Sequence, residues 1–183
     1  MISAAGSGKV AAKAAVMGNV VTHTVRSRFA DSQVRAGVDA AGTAISTAAD
    51  VTLEALSEAR IAAVTVGIAA ADKTALDATV YGNVITRTVE ASISGGASIE
   101  AGGRVALSAA DRSVIESLAL SIAGSGGLSG SILAAANVID GGIASRIAGS
   151  TVESGSTLSL AALSGAGILD RKSTRLNSSH VSQ

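Results

Sequence analysis

Every second residue after Asn19 belongs to one series, Val21, His23, Val25, Ser27 and Phe29, while Thr22, Thr24, Arg26 and Arg28 between them are polar. The same alternation follows Asn83 as Ile85, Arg87, Val89, Ala91 and Ile93, and follows Asn137 as Ile139, Gly141, Ile143, Ser145 and Ile147. A period of two with β-branched residues on one side predicts a strand with one buried face. A shorter run comes next, with Val34, Ile99 or Val152 beside Arg35, Glu100 or Glu153. It stops at Gly37, Gly102 or Gly155, where glycine supplies the turn geometry that ends a strand. Two further alternating runs complete the unit: Val51 to Ala55 with Val64, Val66 and Ile68, then Val105 to Ala109 with Leu118, Leu120 and Ile122.

These runs are copies of one another. The asparagines Asn19, Asn83 and Asn137 are 64 and then 54 residues apart. Val51, Leu53, Ala55 and Ile61 match Val105, Leu107, Ala109 and Ile115, then Leu158, Leu160, Ala162 and Ile168, at offsets of 54 and 53. The unit is therefore 54 residues, with copies near 10–70, 71–125 and 126–169 and about ten extra residues around Val38 to Thr47 in the first. Such periodicity marks an array whose repeats bury one continuous core by stacking, here an all-β solenoid. A helix competes for "DVTLEALSEARIAAV" from Asp50, which has an N-cap residue and good helix formers. Its sibling "TLSLAALSGAGI" carries Gly165 and Gly167 where that helix would run, so strand is preferred, with a local helix in the first copy as the alternative.

Composition sharpens this picture. Thirty-eight Ala and 21 Gly, with one Tyr, one Phe and no Trp, Cys or Pro, leave an interior of Ala, Val, Ile and Leu, and inward Ala, Ser and Gly let facing sheets approach closely. Without Cys there is no disulfide framework, thiolate nucleophile or thiolate metal site. A net charge of zero removes the electrostatic footprint of a nucleic-acid binder. The longest apolar run, Ile61 to Ala71, is too short for a membrane-spanning helix, and the N-terminus lacks a signal-peptide pattern. Ala contributes little per residue at about 25 cal/mol per Å², so three copies with open edges are expected to be marginal and aggregation-prone.

From Asp170 the chain reads "DRKSTRLNSSH", a polar run that breaks the alternation. It resembles one translated frame of a common sequencing adapter, so residues 170–183 are read as a non-native, disordered tail. The body without it has 11 basic and 13 acidic residues and is read as a piece of something longer.

Chemistry-bearing residues are sparse. His23 is the body's one histidine, and its siblings Arg87 and Gly141 share none of its chemistry, so it is expected to be a partly exposed strand residue. Gly6-Ser7-Gly8-Lys9 lacks the first glycine and the following Ser or Thr of a phosphate loop and reads as a turn. The clusters Gly95-Gly96, Gly102-Gly103 and Gly124 to Gly127 read as corners. Asp31, Asp50, Asp111, Glu116 and Asp140 could serve a glycosidase, but no spacing singles them out and only Phe29 and Tyr81 could stack on a sugar. Arg26, Arg28 and Arg35 form a basic patch that the second copy replaces with Glu90 and Glu100 at two positions, and the charged columns are expected to keep neighbouring shafts apart. The three asparagines are read as bonding their own backbone or stacking in a ladder. Catalytic, cofactor-binding and metal-ligating residues are therefore expected to be absent.

The passages "SIAGSGGLSGSILAAANVIDGGIASRIAGSTVESGSTLSLAA" and "YGNVITRTVEASISGGASIEAGGRVALSAAD" resemble the Ala/Gly-rich repeats of very large bacterial surface exoproteins, the filamentous-haemagglutinin-like and leukotoxin-type filamentous adhesins. The resemblance covers nearly all of residues 10–169. It implies secretion, an extracellular or cell-surface location, an elongated β-solenoid shaft and attachment to host cells or other bacteria. It carries over no functional residue. On this reading the chain is a non-enzymatic spacer whose partners are neighbouring repeats of the same longer chain, without nucleic acid or a membrane span. The competing readings are a β-helical carbohydrate-active enzyme or tail-spike module, and a segment of a secreted toxin or haem-acquisition exoprotein.

Overall fold

In the computed structural model, which describes residues 1–178, the chain is all-β with thirteen strands. After β1 (Ile2–Ser7), four strands repeat in order: a long one, a very short one, one of seven residues and one of twelve. The first set is β2 (Val10–Ala30), β3 (Gln33–Ala36), β4 (Val51–Ser57) and β5 (Arg60–Ala71). The second is β6 (Thr74–Ser94), β7 (Ser98–Ala101), β8 (Val105–Asp111) and β9 (Val114–Ser125). The third is β10 (Leu128–Ile147), β11 (Thr151–Ser154), β12 (Leu158–Ser164) and β13 (Gly167–Ser178). The segment weighed as a helix from Asp50 is β4 and β5, and no helix occurs among the described residues.

Each strand pairs in parallel with the strand four places later, giving four sheets ordered β2-β6-β10, β3-β7-β11, β4-β8-β12 and β1-β5-β9-β13. The register is the one the copies predict: Asn19 lies beside Asn83 and Asn83 beside Asn137, while Leu53, Leu107 and Leu160 form one row. The extra residues of the first copy fall in the corner 37–50, closed by an antiparallel bridge between Val38 and Ala44. The equivalent corner of the second copy is 102–104.

The interior holds three apolar clusters. Val89, Ala91 and Ile93 of β6 pack with Leu53, Leu107, Val105 and Ile99 in a wide apolar core to which Phe29 also contributes. Farther toward the start of the long strands Ile61, Ala63, Ile85 and Ile115 form a second cluster with Met17 against it, and beyond it, where the gap narrows and most inward residues are small or polar, Ala69, Ala75 and Ala123 form a third. An added Cβ at Gly67 would lie 2.4 Å from Asp77 Oδ2, so β5 and β6 are in close contact there.

Three expectations are corrected. First, stacked Val, Ile and Leu fill the interior in the rows of Leu53, Val89 and Ile61 but not in the narrow part, where Val64, Ile68 and Leu118 point outward and are exposed. Ile61 and Val64 have opposite parity in one strand, and Ile61 takes the inside. Second, turn geometry explains Gly37, with φ of 64°, but not its siblings Gly102 and Gly155. Those two are needed for close approach: an added Cβ at Gly102 would sit 2.3 Å from Ser46 O, and one at Gly155 would sit 2.3 Å from Gly102 O. Third, the tail expected to be disordered continues β13 to Ser178, with Asp170 to Ser178 paired along Ser117 to Ser125. Parallel pairing uses backbone groups alone, and the open edge of β9 offers them to any proline-free segment. The rest of that tail, with His180, lies outside the described residues.

Candidate functional site

Three columns of inward polar residues concentrate what chemistry the chain has. The first is the asparagine column. Asn19 Nδ2 donates to Asn83 Oδ1 at 2.8 Å, and Asn83 Nδ2 donates to Asn137 Oδ1 at 2.7 Å and to Ser117 Oγ at 3.0 Å. Of the two arrangements weighed for these asparagines, the ladder is the one formed. Asn83 is fully buried, and a buried amide is tolerated only when its donors and acceptor are used.

The second column is His23, Arg87 and Gly141, adjacent in β2, β6 and β10. Arg87 turns inward and its Nε donates to Asp111 Oδ2 at 2.6 Å. Ser113 Oγ donates to the other carboxylate oxygen at 2.5 Å, Ser57 Oγ lies 3.2 Å from Ser113 Oγ, and His23 Nε2 lies 2.7 Å from Ser57 Oγ. Burial pushes the Asp111 carboxyl up, but hydrogen bonding from Ser113, Ser57 and Arg87 and the Arg87 charge more than offset it, leaving it below its ordinary value. Gly141 completes the column because an added Cβ there would fall 1.7 Å from the Arg87 carbonyl oxygen.

His23 and Ser57 stand at the separation of a general base and a hydroxyl nucleophile. Nothing else in the arrangement serves that chemistry. Ser57 is 2% exposed, His23 Nδ1 is buried with no partner among the described residues, and Asp111 engages Ser113 and Arg87 instead of orienting the imidazole. None of His23, Ser57, Arg87 and Asp111 lines the grooves at Ala62 to Val64, Ala12 to Ala14, Val38 to Ala44 or Gly18 to Val21. The network satisfies the buried Arg87 and Asp111 side chains and ties β2, β4, β6 and β8 together.

The third column is Lys13, Asp77 and Ser131. Lys13 Nζ meets Asp77 Oδ1 at 2.8 Å with both side chains buried, and Ser121 and Thr79 hydroxyls donate to the same carboxylate. Outside, opposite charges pair along the stacking direction: Arg35 with Glu100, Arg26 with Glu90, Asp50 with Arg104 and Glu58 with Arg112. Burial raises the Glu90 carboxyl, but bonds from Ser92 and Arg146 and the charges of Arg146 and Arg26 hold it below its usual range. The sign changes between copies thus join successive strands through ion pairs.

No protein-family model, curated protein or solved structure matches this chain.

The carboxylates weighed for glycoside chemistry are dispersed. Asp111 is in the interior, Asp50 binds the Arg104 backbone N–H at 2.7 Å, Glu116 pairs with Arg60 outside, Asp140 is exposed on β10, and Asp31 occupies a corner with φ of 49°. Phe29 and Tyr81 pack inward and present no platform for a sugar. Burial and the adjoining Asp170 carboxylate, which accepts from Tyr81 Oη at 2.6 Å, push the phenol far up. Of the expected turn at Gly6 to Lys9 and corner at Gly124 to Gly127, only Gly8-Lys9 and Gly126-Gly127 are corners, while Gly6, Ser7, Gly124 and Ser125 belong to β1 and β9; no group of three or more metal-ligating side chains occurs among the described residues. The sequence reading missed Lys13, Asp77, Ser57 and Ser113. For the first two a signal existed: they stand 64 residues apart, the offset that separates Asn19 from Asn83.

Proposed function

We propose that this chain is a shaft segment of a secreted bacterial surface filament, a β-solenoid of 54-residue turns that holds a binding region away from the cell. The observation that carries this reading is the asparagine ladder, in which one residue type recurs in register through three successive sets of strands and bonds to its own copies. A repeat that satisfies its buried polar groups with the next repeat can be extended without limit, which is what a spacer requires. Each added turn lengthens the stack by one strand spacing, about 4.8 Å, while the 21-residue strands make it about 66 Å broad. The charged columns support the same reading, since each turn of opposite sign fixes the register of the next. On this reading the partners are neighbouring turns and, at a distance, a host or bacterial surface.

Sequencing the source DNA across both ends of the reading frame tests this. The expected result is a frame of many further 54-residue units behind a secretion signal. A frame with no further repeats would overturn it.

A further inference from the structure

In the narrow part of the fold the interior holds charged and amide side chains among Ala, Met17, Tyr81 and Leu133, while the outer face is apolar. Between Val10 and Val20, Thr74 and Val84, and Leu128 and Val138, the inward residues include Lys13, Asp77, Thr79, Ser131 and the three asparagines. At the six outward positions of each of these strands no side chain is ionisable, and Thr74 is the one hydroxyl. Val16 is 78% exposed, Val20 72% and Ile132 66%, with Leu76, Val80 and Val138 between them also open to solvent. In-register pairing aligns these side chains into apolar rows across β2, β6 and β10. A contiguous face of this kind is an interaction surface.

We propose that the outward face of β2, β6 and β10 over residues 10–20, 74–84 and 128–138 docks against the same face of a second copy of this chain. The absence of charge is the first reason: isologous packing sets like against like, which an ionisable row would oppose. Both faces also share one strand spacing and one register, so their rows can interdigitate as stacked sheets do, about 10 Å apart. The opposite face, with Val64 and Leu118, carries Arg60 and Glu116 and is less suited to packing on itself. Area is the third reason. Three strands about 4.8 Å apart and ten steps of about 3.3 Å give roughly 480 Å² per copy. The pair then covers about 950 Å², close to the roughly 1,000 Å² at which specific interfaces begin, so three turns give a weak dimer and each added turn strengthens it. Lipid fits less well, since the open edges of β2 and β10 would leave backbone groups unsatisfied in hydrocarbon. The association does not depend on the shaft reading, because the face is the same whatever array it comes from.

Sedimentation velocity of the 183-residue chain over the micromolar range, alone and as Val80→Lys, is the test. The expected result is a shift from 17.7 kDa toward twice that mass with rising concentration, weakened at least about tenfold by the buried lysine. Val80 lies on the central strand, so association through the strand edges would survive this change and overturn the proposal. A monomer at every concentration would overturn it too, as would a chain that stays monomeric yet co-sediments with phosphatidylcholine vesicles. Should Val80→Lys lose its β circular dichroism signal, Val16→Lys, at the most exposed of these positions, decides by the same readout.

Discussion

Replacing Asn83 by alanine removes the middle rung of the asparagine ladder and measures how much the stacking of repeats is worth. Asn83 is fully buried and its side chain takes part in three hydrogen bonds, with Asn19, Asn137 and Ser117. At about 1 kcal/mol net for each, with a further penalty for the Asn19 amide left without an acceptor, Asn83→Ala costs about 2–4 kcal/mol. That is a large fraction of the roughly 5–15 kcal/mol that holds an ordinary domain folded. Asn137→Ala is the internal comparison. There the Asn83 amide and the Ser117 hydroxyl both lose an acceptor, but Asn83 keeps its bond to Ser117 and the partly exposed position admits water, so the cost is smaller, about 1–2 kcal/mol. Urea unfolding followed by far-ultraviolet circular dichroism gives both values. Equal costs at the two positions, or a cost below about 1 kcal/mol at Asn83, would refute the reasoning, since the ladder would then contribute no more than a surface contact.

Other consequences follow from the same interior. Asp77→Leu alone strands the buried Lys13 ammonium and costs about 3–5 kcal/mol, whereas Lys13→Met with Asp77→Leu recovers most of that loss, and a double-mutant cycle in urea reads the difference. The depressed Asp111 carboxyl contributes stability that is fully present above the unfolded value of about 3.9 and is lost as pH falls through its lower folded value. Asp111→Asn therefore flattens the acid limb of a stability-against-pH curve, and an unchanged limb would contradict the Arg87 pairing. Gly102→Ala brings a Cβ against backbone oxygens and costs about 1–3 kcal/mol, while Gly124→Ala, with open space around it and φ outside the left-handed region, changes stability by less than about 1 kcal/mol in thermal unfolding.

The strand order and register were legible because the sequence contains its own comparison. Aligning Asn19 with Asn83 and Asn137 placed every later column, and the strands pair in that alignment. The ion pairs were legible in principle: Arg26 opposite Glu90 and Arg35 opposite Glu100 look like a basic patch lost between copies, yet two charges in one column are neighbours one strand apart. Alternation alone could not say which parity of β5 and β9 faces inward. Val64, Val66 and Ile68 look like a core face by hydrophobicity, yet the tight corner between Ser57 and Arg60 puts Ile61 inside and turns them out. Small residues at Ala63, Gly67 and Ala69 were the better guide, because only they fit where the two sheets come close. The links from His23 through Ser57 and Ser113 to Asp111 were illegible, since serine in a strand, as at Ser57, or in a corner, as at Ser113, has no pattern of its own and the contacts join separate sheets.

The central claim is that residues one repeat apart lie side by side in parallel strands. Thr52 and Ser159 are the outward positions in β4 and β12 that flank Ala106 of β8 in one row, away from the apolar face proposed for self-association. The chain has no native cysteine, so Thr52→Cys and Ser159→Cys place spin labels at these two sites alone. The stacked register sets them two strand spacings apart, about 10 Å, and predicts strong dipolar broadening of the electron paramagnetic resonance spectrum. A spectrum equal to the sum of the two singly labelled chains would contradict it.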